Sequence, residues 1–348
     1  MKRPTEATVG PDLSALSGKR VLITGAARGI GAALAGQLAS HGARLALVGL
    51  ELETMEAVAR RCGEGTFLAE CDVSSSENVT QAVGAASEAL GGLDVVVANA
   101  GIAAGGPLRS QDLRSWERVI EINLLGVMHT DRAALPHLER SGGYLLNIAS
   151  SSAAFRGAGL SAYCAAKAGV EALSDCLRIE MKPFGVHVGV AYFLFLDTDM
   201  VTDAEREMPT LQRARAEMPS WLSRTYPLAP AIDEVVAAIA QRRRRVAYPR
   251  WFLKALVLRQ LLASPLAERQ SGKAVPEALR EYDRLVAERG ERCRRDRTHA
   301  QAGRSVTNVR PGNDVALTLP LLARRSALVA LPAAGADTCE TRRPSGGH

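Results

Sequence analysis

Short apolar runs alternate with longer Ala- and Leu-rich stretches along the first 250 residues. Runs of this length, rich in Val, Leu and Ile, are typical of strands buried on both faces of a sheet. We predict strands at 20–24, 44–48, 66–70, 94–98, 143–149 and 186–193, and a last edge strand at 246–248 that Pro249 ends. Strands that alternate with helices predict an α/β fold, a doubly wound parallel sheet of about seven strands with helices on both faces.

A glycine-rich turn follows the first strand and opens the first helix. It contains Gly25, Gly29 and Gly31, and residues 32–40 after it have good helix propensity. Glycine is needed where the backbone turns tightly or approaches a pyrophosphate, and the start of a helix supplies unpaired N–H donors. With a strand before it and a helix after it, this turn predicts a Rossmann-type nucleotide site rather than a plain loop.

Tyr163 and Lys167 lie one helical turn apart, and Ser150 directly follows the apolar run at 143–149. Residues i and i+4 share a helix face, so the Lys167 ammonium is expected beside the Tyr163 phenol. A nearby cation lowers the pKa of a phenol towards neutrality, which makes Tyr163 a candidate proton donor or acceptor. Ser150 can reach the same point from the carboxyl end of its strand.

These motifs, in their order along the chain, resemble those of the short-chain dehydrogenase/reductase family over about residues 15–200. The glycine turn resembles the signature Thr-Gly-x-x-x-Gly-x-Gly. It is followed by Cys71-Asp72-Val73, Ala98-Asn99-Ala100-Gly101, Asn123, Ser150, Tyr163 and Lys167.

The resemblance implies a proton-transfer apparatus of four residues. Tyr163 would exchange a proton with the substrate oxygen while a nicotinamide exchanges a hydride with the adjacent carbon. Ser150 would hydrogen-bond the same oxygen. Lys167 would lower the phenol pKa and hold the nicotinamide ribose, and Asn123 would anchor a water that links Lys167 to solvent.

The resemblance also implies a set of cofactor contacts. Asp72 would accept from the adenine amino group beside the Val73 backbone, and Asn99 would stabilise the central sheet. Thr198 would hold the carboxamide, although Phe193-Leu194 replaces the family's upstream Pro-Gly. The full set is Gly25, Ala27, Arg28, Gly29, Ile30, Gly31, Asp72, Val73, Asn99, Ala100, Gly101, Tyr163, Lys167 and Thr198.

The second strand leaves the choice between NAD and NADP open and favours NADP. An Asp at its end would bind the NAD ribose, and an Arg one residue later would meet the 2′-phosphate of NADP. Gly49 and Leu50 occupy these positions. Gly49 removes a carboxylate that would repel phosphate, and Arg28 can supply a cation. Glu51 favours NAD if it turns inward, and otherwise is an ordinary first-turn acid.

Residues 201–226 are helical in pattern, and the resemblance implies a mobile lid at about 199–228 that sets specificity. Its apolar side chains either line a substrate pocket or pack within the lid; they are Met208, Met218, Trp221 and Leu222. The substrate is therefore expected to be a small apolar alcohol or carbonyl compound. Tyr192, Phe193 and Phe195 either shape the wall near the nicotinamide or enter the core, with two of the three expected in the core.

The rest of the chain divides into segments of different composition. We predict a flexible amino terminus at 1–15, the catalytic domain at 16–250, a helical extension at 251–291 and a poorly ordered tail at 292–348, with an apolar patch at 317–331. Residues 251–263 mix bulky apolar and basic side chains, which favours packing or subunit contact over a membrane surface. The family resemblance implies a homo-dimer or homo-tetramer.

Composition narrows the function classes. The net charge of +6 is concentrated at 242–245 and 292–297, and because aromatics make up only 4% we interpret these arginines as solvated surface rather than a nucleic-acid site. Six scattered cysteines indicate neither a disulfide framework nor a metal site. Neither a secretory signal nor an apolar run long enough for a membrane span is evident. A cytoplasmic location is expected.

The sequence thus predicts an NAD(P)-dependent oxidoreductase that interconverts an alcohol and a carbonyl group. One alternative is a catalytically silent dinucleotide-binding sensor or scaffold, against which the four proton-transfer residues count. Another is a membrane-surface protein that acts through residues 251–263.

Overall fold

The structure is a computed structural model that describes residues 12–207, 215–216, 218–259, 276–277, 279–280 and 282–284. Residues up to Tyr282 belong to one compact unit, and a second unit begins at Asp283. The predictions for Met208, for residues 260–275 and for the tail at 292–348 lie outside the described residues. Leu13, which the sequence assigned to a flexible terminus, packs against the core.

Seven strands form one parallel sheet in the order β3-β2-β1-β4-β5-β6-β7. They are β1 (Arg20–Thr24), β2 (Arg44–Gly49), β3 (Phe67–Glu70), β4 (Val95–Ala98), β5 (Tyr144–Ile148), β6 (His187–Phe193) and β7 (Arg245–Tyr248). The predicted doubly wound parallel sheet is confirmed, and each predicted strand agrees with the observed bounds to within one residue.

Helices cover both faces of the sheet. They are α1 (Gly29–Ser40), α2 (Leu52–Cys62), α3 (Ser76–Leu90), α4 (Leu113–Ile120), α5 (Gly126–Ser141), α6 (Ser161–Glu180), α7 (Asp199–Glu207), α8 (Ser220–Ser223), α9 (Leu228–Gln241) and α10 (Phe252–Val257). Side chains alternate along a strand, so Val21 and Ile23 enter the layer beneath α1 and α9, whereas Leu22 enters the layer beneath α3 and α5. None of the helices in the described part of the chain is long and apolar enough to cross a bilayer.

The strand order reverses between β1 and β4, and the carboxyl ends of these strands diverge into a crevice. Asn99, directly after β4, joins the two ends. Its Nδ2 donates to the Thr24 carbonyl at 2.9 Å and to the Gly25 carbonyl at 3.1 Å. The Thr24 hydroxyl in turn accepts from the Asn99 and Ala100 backbone N–H groups at 3.0 and 3.2 Å. These four hydrogen bonds fix the position of the glycine turn relative to the loop after β4.

The beginning of the predicted extension is part of the hydrophobic core beneath the sheet. Phe252 and Leu256, one helical turn apart on α10, are buried in the layer that contains β6. The Phe252 ring contacts Phe155 and Tyr192 at centroid distances of 5.2 and 6.2 Å. A domain boundary at residue 250 therefore divides one packed core.

The arginine run at 242–245 leads into β7, and three of its members contact neighbouring elements. Arg242 donates to the Gly142 carbonyl at 2.8 Å, Arg243 pairs with Glu234 at 3.1 Å, and Arg245 pairs with Asp175 at 2.9 Å. These three arginines are partly exposed and Arg244 is exposed, so this basic surface also stabilises contacts between neighbouring elements.

Candidate functional site

The glycine turn is so closely packed that side chains would not fit. A Cβ atom on Gly25 would lie 2.7 Å from Ala100 Cα, and one on Gly31 would lie 2.3 Å from the Gly25 carbonyl oxygen. Gly25 and Gly29 also have positive φ values of 66° and 55°. The turn thus leaves its backbone bare on the open side of the crevice.

The start of α1 suits an anion. Its N-cap residue is Arg28, and no side chain in the described part of the chain caps the first turn. The first N–H groups of the helix therefore have no side-chain acceptor, and the helix dipole favours negative charge there. Ala27 and Ile30 pack against the core behind the turn. These residues fit the pyrophosphate of a dinucleotide.

Thr198 lies across the crevice from the turn. Its Cγ2 would be 3.8 Å from a Cβ on Gly29, and its hydroxyl donates to the Leu196 carbonyl at 3.4 Å. The loop after β6 therefore reaches the glycine turn despite lacking Pro-Gly.

Asp72 is held by α4 at the far end of the crevice. One of its oxygens accepts from the Ser74 N–H at 2.9 Å and hydroxyl at 2.7 Å, and the other accepts from Arg118 at 2.8 Å. Burial opposes ionisation of Asp72, but the hydrogen bonds from Arg118 and Ser74 outweigh it and lower the pKa. Val73, beside it, is buried. Arg118 could not be singled out from the sequence, because nothing in the pattern of α4 distinguishes it from the other arginine there, Arg114.

Asn123 lies at the junction of α4 and α5, where residues Glu121–Leu125 form a π-helical turn. Such turns often mark functional sites. The side chain is fully buried, and it donates to the Ile102 carbonyl and accepts from the Ile102 N–H, both at 2.8 Å. A Cβ on Gly101 would lie 3.0 Å from Asn123 Oδ1 and 3.7 Å from Lys167 Nζ. Gly101 thus lets Asn123 and Lys167 approach one another.

Lys167 is buried on α6 and reaches back to β5. Its ammonium donates to the Ile148 carbonyl at 2.8 Å and lies 5.9 Å from the centre of the Tyr163 ring. Burial disfavours the charged form and lowers the pKa of Lys167 to about 8. The side chain is therefore mainly cationic at neutral pH and loses its proton in mild base.

Tyr163 and Ser150 approach one another from α6 and from the end of β5. Burial raises the pKa of the Tyr163 phenol, and a hydrogen bond with Ser150 offsets part of this effect. Ser150 also accepts from the Ser152 N–H at 3.1 Å and so begins a short 3₁₀ turn. The expectation that Lys167 lowers the pKa of Tyr163 below its ordinary value is wrong for this state of the protein, because burial dominates.

The end of β2 has an ion pair beside the glycine turn. Arg28 pairs with Glu51, so the Glu51 side chain points towards the glycine turn. Leu50 is 56% exposed. A Cβ on Gly49 would meet Met55 Sδ at 3.2 Å.

The lid region is less apolar than expected. Two of the three bulky residues at the end of β6, Tyr192 and Phe193, are buried, as predicted. Phe195 instead stacks against the Arg215 guanidinium at 3.9 Å. Trp221, predicted to line a pocket or to pack, is 53% exposed and stacks edge-on against Trp251 at 5.0 Å.

The other lid candidates occupy intermediate positions. Leu222 packs against the core, and Met218 is partly buried. A cavity at the base of the lid is lined by apolar side chains, including Leu196 and Val201, and by acidic ones, Asp197 and Glu205. The base of the lid therefore offers both apolar and acidic side chains.

Metal chemistry has no evident site in the described part of the chain, where no three His, Cys, Asp or Glu side chains are grouped closely enough to hold an ion. Four cysteines there are free thiols, namely Cys62, Cys71, Cys164 and Cys176.

Comparison with known proteins agrees with this geometry. The family model for short chain dehydrogenases matches residues 19–209. Trans-4-hydroxycyclohexanecarboxylate dehydrogenase from Sinomonas cyclohexanicum is 36% identical over 197 residues, which cover 54% of this chain and 76% of that protein. (-)-Trans-carveol dehydrogenase from Rhodococcus erythropolis is 36% identical over 210 residues, which cover 54% and 75%.

Solved structures give the same result. The crystal structure of levodione reductase superimposes with a TM-score of 0.59 and 29% identity, covering 64% of this chain and 91% of that one. The match over more than half of the chain, the parallel sheet and the named dehydrogenase relatives identify an oxidoreductase of alcohol or carbonyl groups. The chain belongs to the short-chain dehydrogenase family.

Proposed function

We propose that the protein reduces a small, apolar, cyclic ketone to its alcohol, or catalyses the reverse reaction, with NADP as the cofactor. The observation that carries this proposal is the convergence of Ser150, Tyr163 and Lys167, together with a glycine turn and an uncapped helix start that suit a pyrophosphate. When bound, NADP would supply or accept the hydride at the substrate carbon.

Tyr163 is the general acid of carbonyl reduction. Because burial raises its pKa, the phenol keeps its proton at neutral pH and can donate it to the developing alkoxide. Ser150 hydrogen-bonds the same substrate oxygen and stabilises the charge that develops there. In alcohol oxidation Tyr163 would act as the base, so oxidation should be favoured by higher pH.

Lys167 and Asn123 support the proton transfer. The Lys167 ammonium stabilises the phenolate that remains after donation, because an opposite charge nearby favours the ionised form. Its hydrogen bond to Ile148 and the clamp between Asn123 and Ile102 hold both side chains in place. The proton that restores the Tyr163 phenol would come from solvent by way of Asn123 and Lys167.

The preference for NADP depends on Arg28 and Gly49. A 2′-phosphate at the end of β2 would meet no carboxylate at Gly49, and the Arg28 guanidinium could hold it. The inward turn of Glu51 counts towards NAD, because Glu51 neutralises Arg28 and would have to release it before a phosphate could bind. Asp72 and Thr198 would contact the adenine and carboxamide ends of the same cofactor.

The cyclic substrate class is drawn from the relatives. Their names specify a hydroxycyclohexanecarboxylate, carveol and levodione. The partly apolar lining at the base of the lid supports a related compound.

Subunit contact through α6 is a further part of the proposal. Ile179 on this helix is 77% exposed and Phe184 after it is half exposed, although both are large and apolar. We expect a cytoplasmic homo-dimer or homo-tetramer, and sedimentation equilibrium of Ile179→Asp against the natural chain tests the contact. A monomeric natural chain would refute it.

Turnover of NADPH with cyclohexanone tests the reaction. Tyr163→Phe should retain dinucleotide affinity and lose activity by at least about 100-fold, since general acid catalysis contributes about 10²–10⁴-fold. Tyr248→Phe removes a phenol at the sheet edge and should retain activity. Tight dinucleotide binding without turnover of any carbonyl or alcohol would favour the sensor alternative.

Affinity for the two reduced dinucleotides tests the cofactor assignment. The natural chain should bind NADPH more tightly than NADH, and Arg28→Leu should abolish the difference. Glu51→Gln should strengthen NADPH binding alone, because it frees Arg28 without adding a charge. Tighter binding of NADH by the natural chain would refute the assignment.

A further inference from the structure

A tyrosine from the carboxyl-terminal extension lies against the loop that follows β4. The Tyr282 hydroxyl donates to the Gly105 carbonyl at 3.3 Å. A Cβ on Gly106 would lie 2.3 Å from the Tyr282 hydroxyl oxygen and 2.5 Å from Cζ. The ring therefore rests directly on the Gly106 backbone, where only glycine leaves room for it. Both residues belong to the same compact unit.

The loop that Tyr282 contacts leads to the candidate active site in one direction. Its first residues include Gly101, against which Asn123 and Lys167 lie, and Ile102, which Asn123 clamps with two hydrogen bonds. A ring that rests on Gly106 is thus attached to the loop that forms one side of the site.

The same loop is joined to a second loop that leads to the catalytic tyrosine. The Gly106 N–H donates to the Gly159 carbonyl at 2.7 Å. Gly159 precedes Tyr163 by four residues, so its Cα lies at most about 14 Å from that of Tyr163. Tyr282 therefore rests on Gly106, the residue that joins the loop beside Asn123 to the loop before Tyr163.

Tyr282 itself lies outside the part of the chain that matches the family model, which ends at residue 209. The substrate range of the relatives therefore says nothing about it. We propose that Tyr282 forms an outer wall of the substrate cleft and limits the size of the compound that reaches Tyr163. This inference rests on the proposed carbonyl reductase activity.

The size limit follows from the ring itself. Tyrosine is bulky and rigid, and its hydroxyl anchors it to the loop at Gly105. Removing the ring should admit a larger substituent on a cyclic ketone, while a small ketone that never meets the ring should be little affected. One extra or missing methylene group in a hydrophobic enzyme pocket typically changes kcat/KM by about 10–200-fold.

The experiment compares kcat/KM for cyclohexanone and for 4-tert-butylcyclohexanone with NADPH. In Tyr282→Ala the ratio of bulky to small substrate should rise about tenfold or more. Tyr282→Phe keeps the ring and should leave the ratio near that of the natural chain. Thermal unfolding of each variant verifies that the chain is folded.

Gly106→Ala provides a second test that leaves Tyr282 in place. The added methyl would collide with the ring and should displace it, so the ratio should rise as in Tyr282→Ala. In the Tyr282→Ala background the same methyl meets no ring and should add nothing, which is a non-additivity that neighbouring residues in contact should show.

The outcomes separate this inference from the proposed function. An active natural chain whose substrate ratio is unchanged in Tyr282→Ala and in Gly106→Ala would overturn the cleft wall and leave carbonyl reduction standing. A natural chain that turns over neither ketone, nor any other carbonyl or alcohol, with either dinucleotide would overturn the proposed function and the wall together.

Discussion

A buried carboxyl group between α5 and β5 should make the protein less stable as pH rises. Asp131 is almost inaccessible, and one of its oxygens accepts from Asn147 Nδ2 at 2.8 Å. Within the described part of the chain, its other oxygen, Oδ1, and Asn147 Oδ1 have no hydrogen-bond partner. A protonated Asp131 could donate from Oδ1 to Asn147 Oδ1 and complete a reciprocal acid–amide pair.

The direction of the pH effect follows from the pKa. Burial raises the pKa of Asp131 from 3.8 to about 8, and the hydrogen bond from Asn147 opposes only part of that rise. Between these two pH values the unfolded chain has lost the proton and the folded protein retains it. Unfolding then releases a proton, so stability falls with rising pH, by about 1.4 kcal/mol per pH unit. The loss is complete above the folded pKa.

Asp131→Asn isolates this effect. The amide introduced by this substitution can make the same reciprocal pair with Asn147 at every pH, so the variant should gain stability relative to the natural chain by about 2.7 kcal/mol between about pH 5 and pH 7. This window lies well inside the interval from 3.8 to about 8, and contributions from other groups cancel in the difference. Urea unfolding of both proteins at several pH values measures it. A difference that stays constant across the window would refute the reasoning.

Three further expectations concern the site and the core. Gly31→Ala places a methyl 2.3 Å from the Gly25 carbonyl and should cost about 1–3 kcal/mol and weaken dinucleotide binding, whereas Gly36→Ala, in open space on the same helix, should be neutral or stabilising. Phe252→Ala should cost about 3–5 kcal/mol in denaturant unfolding, while Val257→Ala, at 81% exposure, should cost under about 0.5 kcal/mol. The kcat/KM for NADPH, which reports the free enzyme, should fall above about pH 8 as Lys167 loses its proton, and a flat profile to about pH 10 would contradict this.

Most of the sheet could be predicted because its strands are buried on both faces. Val21, Leu22 and Ile23 must all be apolar, since alternate side chains enter opposite layers. The glycine turn could be predicted for a similar reason. Gly25 and Gly31 approach other backbone atoms too closely for any side chain, so the packing requires glycine at these two positions of the sequence.

Electrostatic behaviour was harder to predict because it depends on distances and burial that spacing does not specify. The i, i+4 spacing of Tyr163 and Lys167 correctly puts the ammonium near the ring, but burial then determines the pKa of both groups. The partner of Asp72 was missed for the same reason. Arg118 becomes its neighbour only when α4 packs beside the loop after β3.

The end of the catalytic domain could not be located from the sequence composition, because the composition changes at one point and the packed core ends at another. Residues after Pro249 become amphipathic and basic, which suggested a separate extension. Phe252 nevertheless stacks on Phe155, in the segment that follows Ser150, and on Tyr192 in β6. Because the same chain later brings Tyr282 to Gly106, the extension contacts the segments flanking the site at two points. Substitutions in the extension should therefore affect the candidate site more than they affect distant parts of the protein.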